Sequence, residues 1–291
     1  MKLSASTLAL SGHSFAAACK AIADCGYDYV EPAYIEGYAE FSEADLSPAN
    51  GAELKRVAAN HGLAIRSVSA HVDMGAGDAF ARMMPRLEFA VSLGARFLIT
   101  NAGSTGSDAI FASNLERLAP AAAARGIIIC VENPGAGGSL FPDGQAMAAW
   151  KARIDHPSID INYDVGNIFT ASNEAIDPAA DIAASAGFAH FHIKDLRSHI
   201  DGWHMCAIGK GAIDYAPLLA RLAVLQPGAA MTVEMPLRLW RPGRGAPKLK
   251  PIFPIDKIRC ELIASREFIV RHFRPDSQPK TLTGADYVPH D

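Results

Sequence analysis

The stretch IIICVENPG, residues 127–135, is apolar without a break from Ile127 to Val131 and then turns abruptly into Glu132, Asn133, Pro134 and Gly135. A half-exposed strand alternates apolar and polar residues. An unbroken apolar run closed by Pro and Gly instead suits a parallel strand covered on both faces. Working outward, similar runs recur on either side. ARFLITNAG (95–103) precedes it, and SIDINYDVGN (158–167), FAHFHIKDL (188–196) and AAMTVEMPL (229–237) follow. Upstream lie KLSASTLAL (2–10), DYVEPAY (28–34) and LAIRSVSAHV (63–72).

Ala- and Leu-rich segments of helical character separate these runs. One starts at Ser14, a natural N-cap, and PANGAELKRVAANHG ends at Gly62, as helix C-termini often do. Others cover 78–93 and 108–125, the latter stopping at Gly126, and an amphipathic helix is expected from Ile255 to Arg271. Eight β/α alternations without a break in composition predict an α/β chain forming a single (β/α)8 TIM barrel over residues 1–273, including the C-terminal helix. A doubly wound open sheet would want a GxGxxG turn after its first strand, and GAGG at 135–138 has neither that place nor that spacing. Residues 274–291, RPDSQPKTLTGADYVPHD, read as a polar tail, flexible or packed on a neighbouring subunit.

The 291 residues are 49% hydrophobic, enough to bury a large core without disulfide or metal staples. A formal charge of −4 argues against a general nucleic-acid groove. Five scattered cysteines, odd in number and without a CxxC pair, read as reduced thiols of a cytoplasmic protein. The opening MKLSASTLALSGHSF lacks the long apolar region of a secretory signal, and no run approaches the ~20 apolar residues of a membrane span.

In such a barrel, chemistry gathers where strands end at the C-terminal face. Those ends carry Glu31, His71, Asn101, Glu132, Asp164, His192 and Glu234. Strands five to eight therefore each finish in a residue able to bind a metal, separated by 32, 28 and 42 residues, about one βα unit each. Three carboxylates and an imidazole form a hard, mostly oxygen site, which favours one divalent ion, Mn²⁺ first, with Mg²⁺, Co²⁺ or Zn²⁺ as competitors. On the seventh strand His190, His192 and Lys194 share a face. His192 is the expected ligand, and His190 lies one layer deeper, orienting a ligand or filling the core. Asp164 also has the alternative of a plain turn or capping role.

VENPG (131–135), YDVGN (163–167), HFHIKD (190–195), GKGAIDY (209–215) and VEMP (233–236) together resemble the xylose-isomerase-like superfamily of sugar isomerases and epimerases. That group includes D-tagatose 3-epimerase, hydroxypyruvate isomerase, inosose dehydratase and endonuclease IV. The resemblance spans roughly residues 2–272 and implies metal ligands at Glu132, Asp164, His192 and Glu234, the set already found from strand ends. Asn101 and Asn167 stand where the endonuclease pattern has extra zinc-binding histidines, which leaves one full site. Asn167 also replaces an epimerase histidine and becomes a substrate-binding candidate. GAGGS stands where the epimerase pattern has a glutamate in the loop after strand five.

With such an ion bound, Glu132 and Glu234 form an acid/base pair. One removes the proton next to a carbonyl and the other returns it to the opposite face, through a metal-stabilised cis-enediolate. The expectation is a metal-dependent epimerase or isomerase of carbohydrate metabolism, acting on a sugar or keto-sugar. The alternative is a lyase or dehydratase on a keto-sugar or cyclitol, and a remoter one is an abasic-site hydrolase. Neither nucleic acid nor membrane is an expected partner, and a homo-oligomer is expected from the resemblance.

Substrate contacts are expected from His71, Lys194 and Arg197, from Trp203 and His204 as a lid wall, and from Glu31, which alternatively pairs with an arginine. LRLWRPGRGAPKLK crowds Arg238, Arg241, Arg244, Lys248 and Lys250 after strand eight, where many barrels hold phosphate. It reads as an anion site, or as solvated surface or an interface. GSTGSD after strand four would cradle phosphate or supply Ser107 or Asp108 as a helix cap.

Overall fold

A computed structural model describes residues 1–274. The polar tail falls, but for Arg274, outside them. Strand β1 (Lys2–Ser6) opens the chain. The second stave is split into β2 (Tyr29–Glu31) and β3 (Ala33–Tyr34) at Pro32, which has no N–H for a ladder, and the third into β4 (Ala64–Ile65) and β5 (Ser67–Asp73). β6 (Phe97–Asn101), β7 (Ile128–Glu132), β8 (Ile159–Asp164) and β9 (His190–Ile193) follow. After a hairpin of β10 (Asp195–His199) and β11 (Gly202–Cys206), β12 (Ala230–Val233) completes the staves, and β13 (Leu239–Pro242) and β14 (Lys248–Leu249) come last.

Ten of these strands make one parallel sheet in the order β3-β5-β6-β7-β8-β9-β12-β1-β2-β4. β2 pairs with β4 and β3 with β5, so the second and third staves join and the ring of eight closes. The barrel expected from the alternation is the one observed.

The staves alternate with helices α1 (Phe15–Asp24), α2 (Pro48–Asn60), α3 (Ala79–Leu93), α4 (Asp108–Ala123), α5 (Gly144–Ile154), α6 (Val165–Ala171), α7 (Pro178–Asp181), α8 (Tyr215–Leu225) and α9 (Ile255–His272). Ser14 caps α1 by accepting from Ala17 N at 3.3 Å, and Gly62, Gly94 and Gly126 follow helices with positive φ, where L side chains are strained. Ser107 does not cap α4 with its side chain. Its hydroxyl donates to Ser104 O at 2.7 Å.

Strand periodicity sorts the core. Leu98, Ile129, Val131, Ile161, Phe191, Ile193, Met231 and Val233 face outward and pack with helix residues such as Leu87, Leu115, Leu218 and Leu262. The residues between them face the barrel interior. Phe97, Ile99, Cys130 and Ala230 make a small apolar floor. Above it comes a buried polar layer of Glu31, Ser67, Ser69, Asn162, His190 and Thr232.

Three stretches differ from the sequence reading. The sixth strand stops at Asp164, and Val165, Gly166 and Asn167 already belong to α6. The seventh stops at Ile193, because Asp195 starts a second sheet. That sheet, β10-β11-β13-β14, is antiparallel and built from the two segments expected to be loops. Its pairing joins residues some forty positions apart, which local pattern does not reveal.

Candidate metal centre and substrate cavity

The side chains expected to gather at the strand ends do so, in two tiers. Glu132 ends β7, opposite Asn101 on β6 and Asn162 on β8. Asp164 ends β8 and is level with His192 on β9, while Glu234 immediately follows β12. Carboxylate oxygens of Glu132 and Asp164 and a ring nitrogen of His192 all lie within 4.8 Å of one another. His192 Nδ1 is 2.9 Å from Glu132 Oε2, 3.6 Å from Glu234 Oε1 and 4.0 Å from Asp164 Oδ2.

Asp164 divides its work between two oxygens. Oδ1 accepts from Asn167 N at 2.9 Å and so caps α6, while Oδ2 faces the centre. Both roles weighed for it from the sequence are therefore compatible. Lys194 brings its ammonium between the acids, 2.7 Å from Asp164 Oδ2, against Glu234 Oε2 and 3.2 Å from Asn167 Oδ1. Burial works against its charge, but Asp164, Glu234 and Glu132 outweigh that and hold it protonated.

Below sits the orienting tier. Glu31 Oε1 accepts from His192 Nε2 at 3.0 Å and Ser69 Oγ at 2.9 Å, and Oε2 from Ser67 Oγ at 2.5 Å and Thr232 Oγ at 2.8 Å. Burial raises the Glu31 pKa, yet His192, His190 and the serine hydroxyl overcome it and bring it to about 2. Asn162 Nδ2 donates to Glu132 Oε2 at 2.6 Å while its Oδ1 meets His190 Nδ1 at 2.9 Å. Burial depresses both His190 and His71 to about 3, so neither is charged at neutral pH.

These residues suit a divalent cation. Buried atoms aimed at the centre, His192 Nδ1 and Asp164 Oδ2, make no properly aligned hydrogen bond despite their close neighbours, and His71 Nε2 makes none either. Glu132 and Asp164, within reach of each other, also need positive charge to remain ionised, and Glu234 stands outside that close group, 3.6 Å from His192 Nδ1. Glu31, His190 and His192 form a second close group, but Glu31 spends both oxygens on hydrogen bonds there.

A cavity of about 140 Å³ opens on the upper tier, lined by Glu132, Glu234, His71, Asn101, Asn167 and Lys194, together with Ile35, Glu36, Tyr38, Pro134 and Gly135. The remaining expected contacts lie elsewhere. Glu31 is in the lower tier, engaged with His192 rather than with an arginine or a substrate hydroxyl. Trp203 is buried, donating to Glu174 Oε1 at 2.8 Å, and is not part of the cavity wall. Arg197 and His204 stand opposite each other across β10 and β11 and line a separate cavity of about 580 Å³ toward α9. The sequence reading missed Asn162, Thr232, Ser67 and Ser69. A signal existed for two of them, since Asn162 and Thr232 stand two residues before Asp164 and Glu234 and so share their faces.

Fold and centre together define a (β/α)8 barrel with a buried carboxylate–imidazole cluster at its C-terminal mouth, the design of metal-dependent barrel enzymes. The chain belongs to the xylose isomerase-like TIM barrel family, whose model matches residues 19–250. No curated protein matches the sequence. Among solved structures it is similar to a D-psicose 3-epimerase crystallised in the presence of D-fructose, at 14% identity over 94% of this chain and 99% of that one, with a TM-score of 0.72. A D-tagatose 3-epimerase-like protein matches at 18% identity over 94% and 97%, TM-score 0.69. A probable 3-DHS dehydratase, AsbF of Bacillus anthracis, matches at 15% over 90% and 97%, TM-score 0.66. At these identities the likeness is one of fold. No helix among the described residues is long and apolar enough to cross a membrane.

Proposed function

We propose that the protein is a metal-dependent epimerase or isomerase of a keto-sugar or related polyol-derived ketone, with Glu132 and Glu234 as its acid/base pair. One observation carries the reading. The two glutamates reach the same cavity from staves with β8 and β9 between them, around the buried Asp164–His192 cluster. Two carboxylates facing one pocket from different walls are what proton removal on one face and return on the other requires.

Glu132, Asp164, His192 and Glu234 would hold the ion, and their oxygen-rich set favours Mn²⁺ or Mg²⁺. A divalent ion bound there supplies positive charge that offsets the oxyanion developing when a proton leaves carbon. The chain supplies the rest. Asn162 and Asn167 donate to opposite oxygens of Glu132, at 2.6 and 3.1 Å, and fix the carboxylate that takes or gives the proton. Lys194 holds Glu234 on the far wall. His71, neutral and without a hydrogen-bond partner for Nε2, is placed to bond a substrate hydroxyl.

The same acids would serve dehydration if a β-hydroxyl left instead, and a dehydratase is among the chains of similar fold. Proton NMR in D₂O of Mn²⁺-loaded protein with a panel of ketoses and keto-acids separates the readings. Epimerisation or isomerisation incorporates deuterium at the reacting carbon without loss of water, and dehydration yields an unsaturated product. Absence of both with every compound, alongside tight Mn²⁺ binding, would leave a non-catalytic barrel.

A further inference from the structure

Five cations crowd the segment after β12, and four of them are accounted for away from the cavity. Arg238 Nε donates to Lys250 O at 3.1 Å and its Nη1 to Ser11 Oγ at 3.3 Å. Arg244 pairs with Glu174 at 2.8 Å, Lys250 donates to His204 Nδ1 at 2.9 Å, and Lys248 is exposed on β14. Arg241 differs. It lies opposite Trp203 in the β11–β13 ladder, and its Nη1 donates to Gly135 O at 2.7 Å.

That contact sets the guanidinium against Gly135, at the edge of the cavity wall rather than in it. Gly135 and Asn167 line the cavity, and a methyl group placed on Gly135 would stand 2.5 Å from Asn167 Oδ1 and 3.1 Å from Arg241 Nη2. Arg241 and Asn167 therefore flank the space that a side chain on Gly135 would fill. Among the described residues no carboxylate lies within ion-pairing distance of Arg241, and the facing segment PGAGGS (134–139) carries no charge at all. A partly buried guanidinium that gives one hydrogen bond to a carbonyl has donors left over, and its planar fork matches an oxyanion.

We propose that the substrate of this site carries an oxyanion, a carboxylate or a phosphate monoester, which Arg241 binds at the Gly135 edge of the cavity, with the Thr170 hydroxyl beside it. Arg241 then selects an anionic keto-sugar or sugar acid over the neutral ketose. The inference rests on the functional reading of the cavity given above, but it can fail separately.

The test uses the full-length, Mn²⁺-loaded protein and matched probes of one chain length: a neutral ketose, the corresponding keto-aldonate and the terminal ketose phosphate. Solvent-deuterium exchange gives kcat/KM for each, and ligand-observed saturation-transfer NMR gives binding without turnover. One anionic probe is expected to exceed the neutral one by about 100-fold, with the two anionic arms telling carboxylate from phosphate. Arg241→Met should collapse that ratio, chiefly through KM, with Arg241→Lys intermediate and Arg244→Met leaving the ratio as in the parent. If no probe exchanges but an anion binds and loses binding in Arg241→Met, the oxyanion assignment stands and the isomerase reading falls. A neutral preference, or an unchanged ratio and unchanged binding in Arg241→Met, overturns the assignment.

Discussion

His192 and Glu31 meet at 3.0 Å, Nε2 to Oε1, beneath the candidate metal centre. Glu31 is ionised and can only accept, so Nε2 carries a proton, and once Nδ1 gives up its own its lone pair faces Glu132, Asp164 and Glu234. Such outer partners fix the ring and raise the basicity of a ligand. Glu31→Gln should weaken Mn²⁺ binding by roughly 10- to 100-fold, as measured by isothermal titration. Equal affinity in the variant and the parent would show that the pair is merely structural.

Metal binding should strengthen with pH. Burial, aided by Glu234 and Asp164, raises the Glu132 pKa despite the opposing effect of His192. Burial works against a charged His192, but Glu31, Glu132 and Glu234 raise its pKa well above the ordinary value. Without metal both groups hold protons in the folded protein that the unfolded chain has released. The stability they confer is complete below the unfolded pKa values, 4.5 and 6.5, and is lost as pH rises through the folded ones. A cation needs both sites free of protons, so it replaces what deprotonation removes. The rise in Tm on adding Mn²⁺ should therefore be larger near pH 8 than near pH 5.5. A rise that is constant or shrinks with pH would contradict the assignment of Glu132 and His192 as ligands.

The upper tier could be read from the sequence because a strand end is a local property. IIICVE and HFHIKD announce where their strands stop, and the charged residue at that point is conspicuous. Depth was harder. Glu31 also ends a strand, yet its register with Ser6 and the break at Pro32 seat it one layer below the mouth, which no local pattern encodes. Asn162 and Thr232 are uncharged and pass for ordinary polar strand residues until the barrel closes and buries them. The hairpin of β10 and β11 was hidden for another reason. Its partner β13 lies beyond a whole βα unit, so Trp203 and His204, neighbours in sequence, end on opposite faces of a sheet rather than together on a lid.

Gly166 should reverse the usual effect of an alanine in a helix. Gly→Ala within a helix ordinarily stabilises by about 0.5–1 kcal/mol. A Cβ here would stand 2.7 Å from Lys194 O and 2.9 Å from both Cβ and Cγ of Lys194, backbone and stem with little room to yield. Gly166→Ala should destabilise by about 1–3 kcal/mol in urea unfolding and displace the ammonium that joins Asp164 to Glu234. A stabilised variant would show that α6 and β9 are not so closely apposed.

Asp195 ties the hairpin to the glycine-bracketed loop that follows it. It is buried, and its Oδ2 accepts from Gly209 N and Gly211 N, both at 2.9 Å, while Oδ1 accepts from Leu196 N at 2.8 Å. Gly211 has no room for a side chain because the Asp195 carboxyl fills that space. Removing the acceptor leaves the glycine donors to water, since Gly209 is exposed and Gly211 half-buried, at a net cost of about 0.5–1.5 kcal/mol per bond. Asp195→Ala should therefore lower global stability by about 1–3 kcal/mol and speed amide exchange of residues 209–213 ahead of the barrel strands. Glu132 and Asp164 are hydrogen-bonded by other residues, so the loss of Mn²⁺ affinity should be small beside that of Glu31→Gln. Unchanged exchange at 209–213 would mean that the loop is held by Tyr215, whose hydroxyl donates to Lys194 O at 2.6 Å, and not by Asp195.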